Sequence, residues 1–397
     1  METIGNGGAD TKNVGLRGVT VADTRVSHVD AEAGRLIYRG YDIGTLAELS
    51  TYEEVAYLLI EGSMPTTAEL ESFMRELGAR RALPADLLTL LRAYPRSMAP
   101  VGVLQAVVPA MAAHDPRPGD PSKEAERERA VDLTAKVASL VAAWHRIRMG
   151  LDPVPSDPSL AHAADFLRML RDATPDPRLA RELDIALILH ADHSMNASTF
   201  TARTVTSTRA HIYAAVSAAI GALSGELHGG ANAKVMEMLE EIGELDQVEP
   251  YVRSRLEAGG RIMGMGHAVY RTDDPRAVIL REMSRRAGPL ADDSRWFALT
   301  ERVEEVTRSL FRERKGSEIY PNVDLYSASL YRVMGIPRDL FTPVFAVARV
   351  AGWSAHVIEE RFAEAQEKPE LYRPQSEYVG LYCGPESCTY APPDQRE

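Results

Sequence analysis

Three short segments in the second half of the chain each place one proton-transferring side chain among glycines or beside a proline. His228 lies in GELHGGAN (225–232), His267 in GMGHAVY (264–270) and Asp324 in YPNVD (320–324). Glycine lets the backbone approach a ligand closely, and proline fixes the local direction of the chain. Two histidines and an aspartate held in this way are suited to removing a proton from carbon and polarising a carbonyl group in one pocket.

For each of these residues, a purely structural role is an alternative to a catalytic or binding role. His228 precedes an apolar helical pattern, and the dipole at a helix N-terminus favours a neutral imidazole; the alternative is a capping or packing histidine. Apolar neighbours of Asp324 raise the pKa of a carboxyl group and make it a stronger base, but taken alone an N-cap aspartate is favoured. His267, with Arg271 and Arg276 beyond it, is typical of an anion site, and the alternative is a solvated basic loop.

Four further residues are candidates. His190 and His193 have a spacing that allows a shared metal on a helix, but no nearby cysteine or paired acid completes a site. Anion binding by one histidine and packing by the other is therefore favoured. Arg349 lies in an apolar run, where a buried arginine is either paired or awaits an anion. Arg373, near the C-terminal tail, is ambiguous by itself.

Composition limits the class of protein. The 397 residues are 45% hydrophobic and 26% charged, which is ordinary for a soluble globular chain of about two domains. A net charge of -12 argues against general nucleic-acid binding, but a few converging arginines are enough to bind an anionic small substrate. The only cysteines, Cys383 and Cys388, fit no zinc spacing and are predicted to be free thiols in a reducing compartment.

No targeting or membrane segment is predicted. Residues 1–14 are polar and glycine-rich and lack the basic start and apolar core of a signal peptide. The longest apolar stretch is placed at residues 212–223, which is too short to span a bilayer. These features predict a cytoplasmic protein without a membrane partner.

The pattern of residue types predicts a mainly helical chain with one small β-hairpin at residues 25–43. Ser50 with Glu53, and Thr66 with Glu69, are predicted capping boxes, and Gly62 is a predicted helix stop.

Longer patterns add a helix at residues 130–149 that ends at Gly150, and loops at 114–122 and 152–159. A helix at 211–223 is apolar nearly all round. Burial inside the domain and burial at a subunit interface both explain it; the interface is favoured once the following resemblance is included.

An ordered series of motifs closely resembles the citrate synthase family, in its dimeric bacterial form. The series consists of YRGY (38–41), HADHSMNASTF (190–200), LHGGAN (227–232), MGMGH (263–267), DPRA (274–277), YPNVD (320–324), FTP (341–343), ARVAGW (348–353) and RP (373–374). The resemblance covers nearly the whole chain from about residue 15 to residue 380. Because so many motifs occur in the right order, the resemblance is specific.

The resemblance implies an almost all-α homodimer with two domains per subunit. The large helical domain would comprise residues 1–231 and 339–397, including the tail, and a small domain, residues 232–338, would close over the substrates. The implied reaction joins acetyl-CoA to oxaloacetate and hydrolyses the citryl thioester, giving citrate and CoA. No metal or prosthetic group is implied.

The resemblance also implies roles for individual residues. Asp324 would remove a methyl proton from the thioester, His228 would donate a hydrogen bond to the forming enolate, and His267 would polarise the ketone of oxaloacetate. The residues implied to hold oxaloacetate are His193, Arg276, Arg349 and, from the other subunit, Arg373. CoA carries phosphates, and Arg261, Arg271 and Lys315 are positioned in the sequence to meet them, beside the backbone of Ile262, Gly264 and Gly266.

Three positions depart from the usual family pattern. Ser194 stands where glutamate is usual, Glu226 where proline is common, and Ala268 where many bacterial members have arginine. None of them removes a proposed catalytic group, but they bear on the orientation of the site and on the acyl preference.

The alternatives are a 2-methylcitrate synthase that uses propionyl-CoA, a catalytically silent homologue acting as a binding or scaffold protein, and a metal-dependent hydrolase built on His190, His193 and His228. The intact histidines, aspartate and arginines disfavour the silent homologue.

Overall fold

The computed structural model describes residues 15–16, 18–267, 269–378 and 392–395, so Ala268, Cys383 and Cys388 lie outside the described residues. The strands are β1 (Ser27–Asp30), β2 (Arg35–Tyr38) and β3 (Tyr41–Asp42). The helices are α1 (Ile43–Leu49), α2 (Tyr52–Glu61), α3 (Thr67–Arg80), α4 (Ala85–Ala93), α5 (Pro100–Val107), α6 (Lys123–Arg148), α7 (His162–Arg171), α8 (Pro177–His190), α9 (Ala197–Ser207), α10 (Ile212–Leu223), α11 (Ala231–Ile242), α12 (Val248–Glu257), α13 (Pro275–Leu290), α14 (Arg295–Lys315), α15 (Val323–Val333) and α16 (Phe341–Arg361). Short 3₁₀ turns cover Val108–His114, Leu245–Gln247, Arg338–Leu340 and Pro393–Gln395. The prediction of a mainly α fold is confirmed.

The predicted hairpin is present as the β1–β2 pair, with β3 as a short third strand. The strands are antiparallel, and Ser27 lies opposite Tyr38 in the register. The backbone N–H of Arg271 donates to the carbonyl of Ala31 at 3.2 Å. The turn of the hairpin therefore contacts the segment that follows His267.

Most helix boundaries follow the predicted signals. Thr66 and Glu69 form the predicted capping box at the start of α3, and Gly62 ends α2 with a left-handed φ of 92°. The Ser50 box is wrong, because the neighbouring Thr51 caps α2 by accepting from the backbone N–H of Glu54.

Glu53 is unavailable for capping because it points inward. Its Oε1 accepts from the backbone N–H of His162 at 2.7 Å, and only 1% of the residue is exposed. Helix α6 contains the predicted 130–149 stripe but begins earlier, at Lys123, where Ser122 provides the cap. Gly150 follows its end with a φ of 80°.

Helix α16 is the central core helix. It packs against α2, α6, α8, α9 and α10. The prediction that residues 212–223 are the longest apolar stretch is wrong, because the helical stretch Arg338–Arg361 is longer and has the length and mean hydropathy, 1.2, of a membrane span. All of its apolar window is buried inside the protein, so its composition is that of a core helix.

Helix α10 is largely buried within one chain. Its buried residues are Ile212, Tyr213, Ala215, Val216, Ala219, Ile220 and Leu223, and the helix packs against α5, α9 and α16. Burial inside the chain therefore accounts for much of its apolar character, and a subunit interface along it stays a prediction.

Helices α11 to α15 pack mainly on one another. They meet the rest of the chain where α13 contacts α1 and α8, and where α11 contacts α16. The predicted division at residues 232 and 338 lies close to the ends of this group, whose first helix begins at Ala231, and it stays a prediction.

Candidate active site

The segments that carry His267 and Asp324 are joined by their backbones. The backbone N–H of Gly266 donates to the carbonyl of Tyr320 at 2.7 Å, and that of Asn322 donates to the carbonyl of Gly264 at 2.9 Å. The Nδ2 of Asn322 also donates to the carbonyl of Gly266 at 2.9 Å. We call this set of bonds between residues 264–266 and 320–322 the backbone clamp.

Glycine is required at the centre of this clamp. Gly264 has a φ of +78°, which side chains rarely adopt, and an added Cβ would lie 2.9 Å from Leu325. Any other residue at this position would push the segment that carries His267 away from the start of α15.

His228, His267 and Asp324 line one cavity of about 400 Å³. Its walls come from residues 226–228 and 231, from 261–267, and from 322–324. The three residues singled out in the sequence are therefore brought together in space, although the first and the last of them are 96 positions apart along the chain.

The hydrogen bonds of His228 fix its tautomer. Its Nε2 accepts from the backbone N–H of Ser198 at 3.3 Å and lies 2.8 Å from the Ser198 hydroxyl, which in turn accepts from the indole N–H of Trp353 at 3.1 Å. Burial, together with Arg349, lowers the pKa of His228 to about 4. The ring is therefore neutral, and its single N–H is at Nδ1.

His228 sits near a helix N-terminus, as predicted. It precedes Gly230, the N-cap of α11, by two residues. The intervening Gly229 packs so tightly that an added Cβ would lie 2.5 Å from the side chain of Leu223. This close contact explains why position 229, directly after His228, is occupied by glycine.

His267 is fixed as the opposite tautomer. Its Nδ1 accepts from the backbone N–H groups of Val269 at 2.9 Å and Tyr270 at 3.0 Å, so the proton is carried by Nε2. Burial, together with Arg276, lowers the pKa of His267 to about 4. Its Nε2 lies 3.5 Å from the Asp274 carboxylate. His267 is thus a neutral hydrogen-bond donor.

Asp324 is a buried carboxyl group at the second position of α15. The N-cap alternative is wrong, because Asn322 caps this helix and its Oδ1 accepts from the backbone N–H of Asp324 at 3.0 Å. Only 9% of Asp324 is exposed, and its Oδ1 has no hydrogen-bond partner. Burial raises its pKa to about 7, which suits a general base near neutral pH.

Two buried arginines lie close to this group. Arg276 forms a bidentate pair with Asp274, at 3.0 Å from Nε and 2.7 Å from Nη2. The Nε of Arg349 donates to the carbonyl of His190 at 2.6 Å, whereas its Nη1 is buried without a partner. Burial lowers the pKa of Arg349 to about 10. A buried guanidinium with an unused donor is suited to an anionic ligand.

His193 belongs to the same cluster. Its ring centre lies 5.8 Å from that of His267, and its Nε2 lies 3.3 Å from the Tyr270 hydroxyl. Burial, together with Arg276 and Arg349, holds its pKa well below the usual range, so it is a neutral polar group.

His190 faces a different environment. Its Nδ1 donates to the carbonyl of Ala186 at 2.7 Å, and its ring packs edge-on against Phe345 at 4.9 Å. Within the described parts of the chain, no group of three His, Cys, Asp or Glu side chains is placed to share a metal.

The predicted CoA residues divide into two sets. Arg261, Ile262, Gly264 and Gly266 line the cavity. Arg271 and Lys315 do not: Arg271 is exposed and pairs with Glu32 at 2.7 Å, and the Lys315 ammonium lies 4.6 Å from the centre of the Phe311 ring.

The remaining positions are also placed. Arg373 is exposed on the segment after α16 and does not line the cavity of its own chain. Of the departures from the family pattern, Glu226 lines the cavity, and Ser194 has a left-handed φ of 50°.

Several residues that orient this site were not predicted from the sequence. Asp274 is the N-cap of α13 and pairs with Arg276; its position before a proline at the first helical residue was an available signal. Asn322, two residues before Asp324, was an available N-cap signal as well. Ser198 and Trp353, which orient His228, carry no local signal because they meet only in the folded chain.

The comparisons with known proteins agree in one family. A model described as "Citrate synthase, C-terminal domain" matches residues 15–375. The citrate synthase of Haloferax volcanii is 45% identical over 92% of this chain and 95% of its own length, and a 2-methylcitrate synthase of Mycobacterium tuberculosis is 37% identical over 92% and 90%. The chain also superimposes on the citrate synthase of Thermoplasma acidophilum, solved as a ternary complex with carboxymethyl coenzyme A and oxaloacetate, with a TM-score of 0.86 and 30% identity over 96% of this chain and 98% of that one.

Proposed function

The chain belongs to the citrate synthase family, and we propose that it condenses acetyl-CoA with oxaloacetate and hydrolyses the resulting citryl thioester to citrate and CoA. One observation carries the mechanism: two neutral histidines and a carboxyl group with a pKa of about 7 line the same cavity. This set contains a base, a donor for an enolate oxygen and a donor for a ketone oxygen.

In the first step, Asp324 accepts a proton from the methyl group of the thioester. The electron pair of the broken C–H bond moves onto the thioester oxygen, which receives a hydrogen bond from the Nδ1–H of His228. A fixed donor in a site that excludes water stabilises this developing charge more than water does. Ser198 supports the step because it occupies Nε2 and leaves the N–H of His228 for the substrate.

In the second step, the enolate carbon attacks the ketone carbon of oxaloacetate, and the new carbon–carbon bond places negative charge on the former ketone oxygen. The Nε2–H of His267 polarises that oxygen, and net transfer of the proton held by Asp324 converts it into the hydroxyl group of citryl-CoA and restores the Asp324 carboxylate. Arg276, Arg349 and His193, which lie close to His267 or Asp324, would hold the oxaloacetate carboxylates. The unused Nη1 of Arg349 is the donor best placed to bind one of them.

In the third step, water adds to the thioester carbonyl, the carbon–sulfur bond breaks, and CoA leaves as its thiol. Closure of the small domain, residues 232–338, over the large one would exclude water until the carbon–carbon bond has formed. The chemistry uses only side chains of the protein, and we propose no metal or prosthetic group.

For CoA, we propose that the backbone of residues 262–266 and the side chain of Arg261 form the contact surface. Arg261 is exposed at the cavity and is free to follow a phosphate. Arg271 and Lys315 would first have to leave Glu32 and the Phe311 ring, so they are the weaker candidates.

We further propose that the enzyme is a homodimer in which Arg373 completes the partner's site. Mixed dimers of Arg373→Ala and Asp324→Asn subunits test this proposal. If Arg373 acts across the interface, one of the two sites is complete, and turnover per dimer recovers to about half of the wild-type value. If Arg373 acts in its own subunit, neither site is complete and the mixed dimers stay as inactive as the parent variants.

The acyl preference distinguishes citrate synthase from 2-methylcitrate synthase. Release of CoA thiol from acetyl-CoA and from propionyl-CoA, each with oxaloacetate, is expected to favour acetyl-CoA by about tenfold or more in kcat/KM, the discrimination that one methylene provides. A preference for propionyl-CoA would instead make the protein a 2-methylcitrate synthase. Tight oxaloacetate binding without thiol release from either thioester would identify a silent homologue.

A further inference from the structure

A buried group of charged side chains surrounds Arg203 of α9. Its guanidinium contacts Glu359 at 2.7 Å and Glu360 at 2.8 Å, and Nη1 lies 3.3 Å from Nδ1 of His356. Arg203, Glu359, Glu360 and His356 are fully buried. Each nitrogen of the Arg203 guanidinium has a hydrogen-bond or ion-pair partner, so this buried group is a fixed unit of the fold. Together with Asp192 and Tyr372 these residues are the Arg203 network.

One end of the Arg203 network reaches the loop that carries His193. The Nε2 of His356 lies 3.3 Å from Oδ2 of Asp192, the residue just before His193. The same carboxylate oxygen accepts from the backbone N–H of Ser194 at 3.0 Å and from the Ser27 hydroxyl. The network thus holds the turn on both sides of His193.

The other end holds the segment that carries Arg373. The Tyr372 hydroxyl donates to Glu360 at 2.6 Å and accepts from Nε of Arg203 at 3.3 Å. The Tyr372 ring stacks on Phe200 with the ring centres 6.0 Å apart, and its backbone N–H donates to the Ser207 hydroxyl at 3.2 Å. Tyr372 is therefore anchored through its ring, its hydroxyl and its backbone, whereas the next residue, Arg373, is exposed.

We infer that Tyr372 is a positioning residue that sets the direction in which Arg373 leaves the subunit, and that it therefore acts on the partner's active site. The inference rests on the proposed function and on the shared site. The Tyr372 hydroxyl is the link, because it joins the C-terminal segment to the Arg203 network. The same network holds His193, so each subunit aligns oxaloacetate-binding groups for its own site and for that of its partner.

The first test uses homodimers of Tyr372→Phe, which keep the stacked ring and lose the hydroxyl. We expect the KM for oxaloacetate to rise about three- to tenfold, the range for loss of one hydrogen bond, with kcat reduced much less. Tyr251→Phe is the matched control, because the Tyr251 hydroxyl also donates to a carboxylate, Glu241, at 2.9 Å, away from the cavity. Its KM is expected to stay at the wild-type value. An unchanged KM in Tyr372→Phe would overturn the inference.

The second test uses mixed dimers with a single working site, obtained by placing Asp324→Asn in one subunit. When Tyr372→Phe is in that same inactive subunit, the KM is expected to rise, because this subunit supplies Arg373 to the working site. When Tyr372→Phe is in the working subunit, the KM is expected to be normal, because Arg203, His356 and Asp192 hold the His193 loop without the Tyr372 hydroxyl. A purely structural role would raise the KM in the second arrangement as much as in the first, or more.

Equal KM values in the two arrangements, or the reverse order, would overturn the inference. Either result is compatible with normal turnover by the wild-type dimer, so it would not contradict the proposed function. Failure of the proposed function is a different result, because the wild-type dimer itself would then release no CoA.

Discussion

Asp324→Asn is expected to lower kcat by about 10²- to 10⁴-fold, the contribution typical of a general base, while oxaloacetate still binds. The amide of asparagine has nearly the same size but cannot accept the methyl proton. The carboxyl group is buried, its Oδ1 is unpartnered, and its pKa is raised to about 7. Steady-state kinetics and calorimetric titration with oxaloacetate measure the two quantities. An unchanged kcat would remove Asp324 from the mechanism.

Stability separates this loss of chemistry from a loss of folding. The pKa of Asp324 rises from 3.8 to about 7 on folding, so the folded protein binds this proton more tightly than the unfolded chain does. The resulting contribution to stability is fully present below about pH 3.8 and is lost as the pH rises through about 7. At pH 8 the Asn variant lacks this buried charge, so its Tm is expected to equal or exceed that of the wild type.

A matched control is Asp184→Asn. Asp184 is also a buried carboxyl group with a raised pKa, about 6, but it lies beside Tyr52 and Arg181, away from the cavity. Its replacement is expected to leave kcat unchanged. The wild-type kcat should also fall below about pH 7 as Asp324 becomes protonated.

Arg349→Met is expected to raise the KM for oxaloacetate by about 100-fold or more, the effect of removing one member of a buried charge pair. Nη1 of Arg349 is buried without a partner, so in the absence of substrate it awaits an anion. Methionine keeps the packing of the long side chain. Because burial disfavours the Arg349 charge more than the nearby carboxyl groups of Asp192 and Asp324 favour it, stability is expected to stay the same or to rise.

Arg81→Met is the control for Arg349→Met and is expected to affect stability instead of substrate binding. Arg81 is equally buried, but its guanidinium is paired with Asp165 at 3.2 Å and also donates to the carbonyl of Leu160 at 2.9 Å. Its removal is expected to lower Tm and to leave the KM for oxaloacetate unchanged. If Arg349→Met lowered Tm and left the KM unchanged, Arg349 would be a structural residue like Arg81.

Local signals predicted much of the chain. The hairpin, the Thr66 cap and the stop at Gly62 depend on a few adjacent residues, and all three were correct. The prediction of a Ser50 cap was wrong because both Ser50 and the neighbouring Thr51 can cap a helix. Glu53, the partner needed for the Ser50 capping box, is instead bonded to the distant backbone N–H of His162. A pattern limited to one segment cannot contain that information.

The candidate site was predictable only in part. The glycines and the proline marked His228, His267 and Asp324 as unusual. Their roles in one shared active site were predicted from the resemblance and not from their spacing. Arg271 and Lys315 were placed with CoA because they are close in sequence to the right segments. In the structure, the Arg271 side chain pairs with Glu32 of the hairpin turn, and the Lys315 ammonium packs on the Phe311 ring of α14.

The backbone clamp constrains the domain closure that we propose. It ties the segments of His267 and Asp324, the proposed polarising histidine and base, into one unit, so their separation should stay constant during a rigid-body motion. His228 lies outside the clamp, and its ring is held by Ser198, which is itself bonded to Trp353. The distance from His228 to Asp324 then describes how far the proposed closure has progressed. One pair of spectroscopic probes across this distance would report it at each stage of turnover.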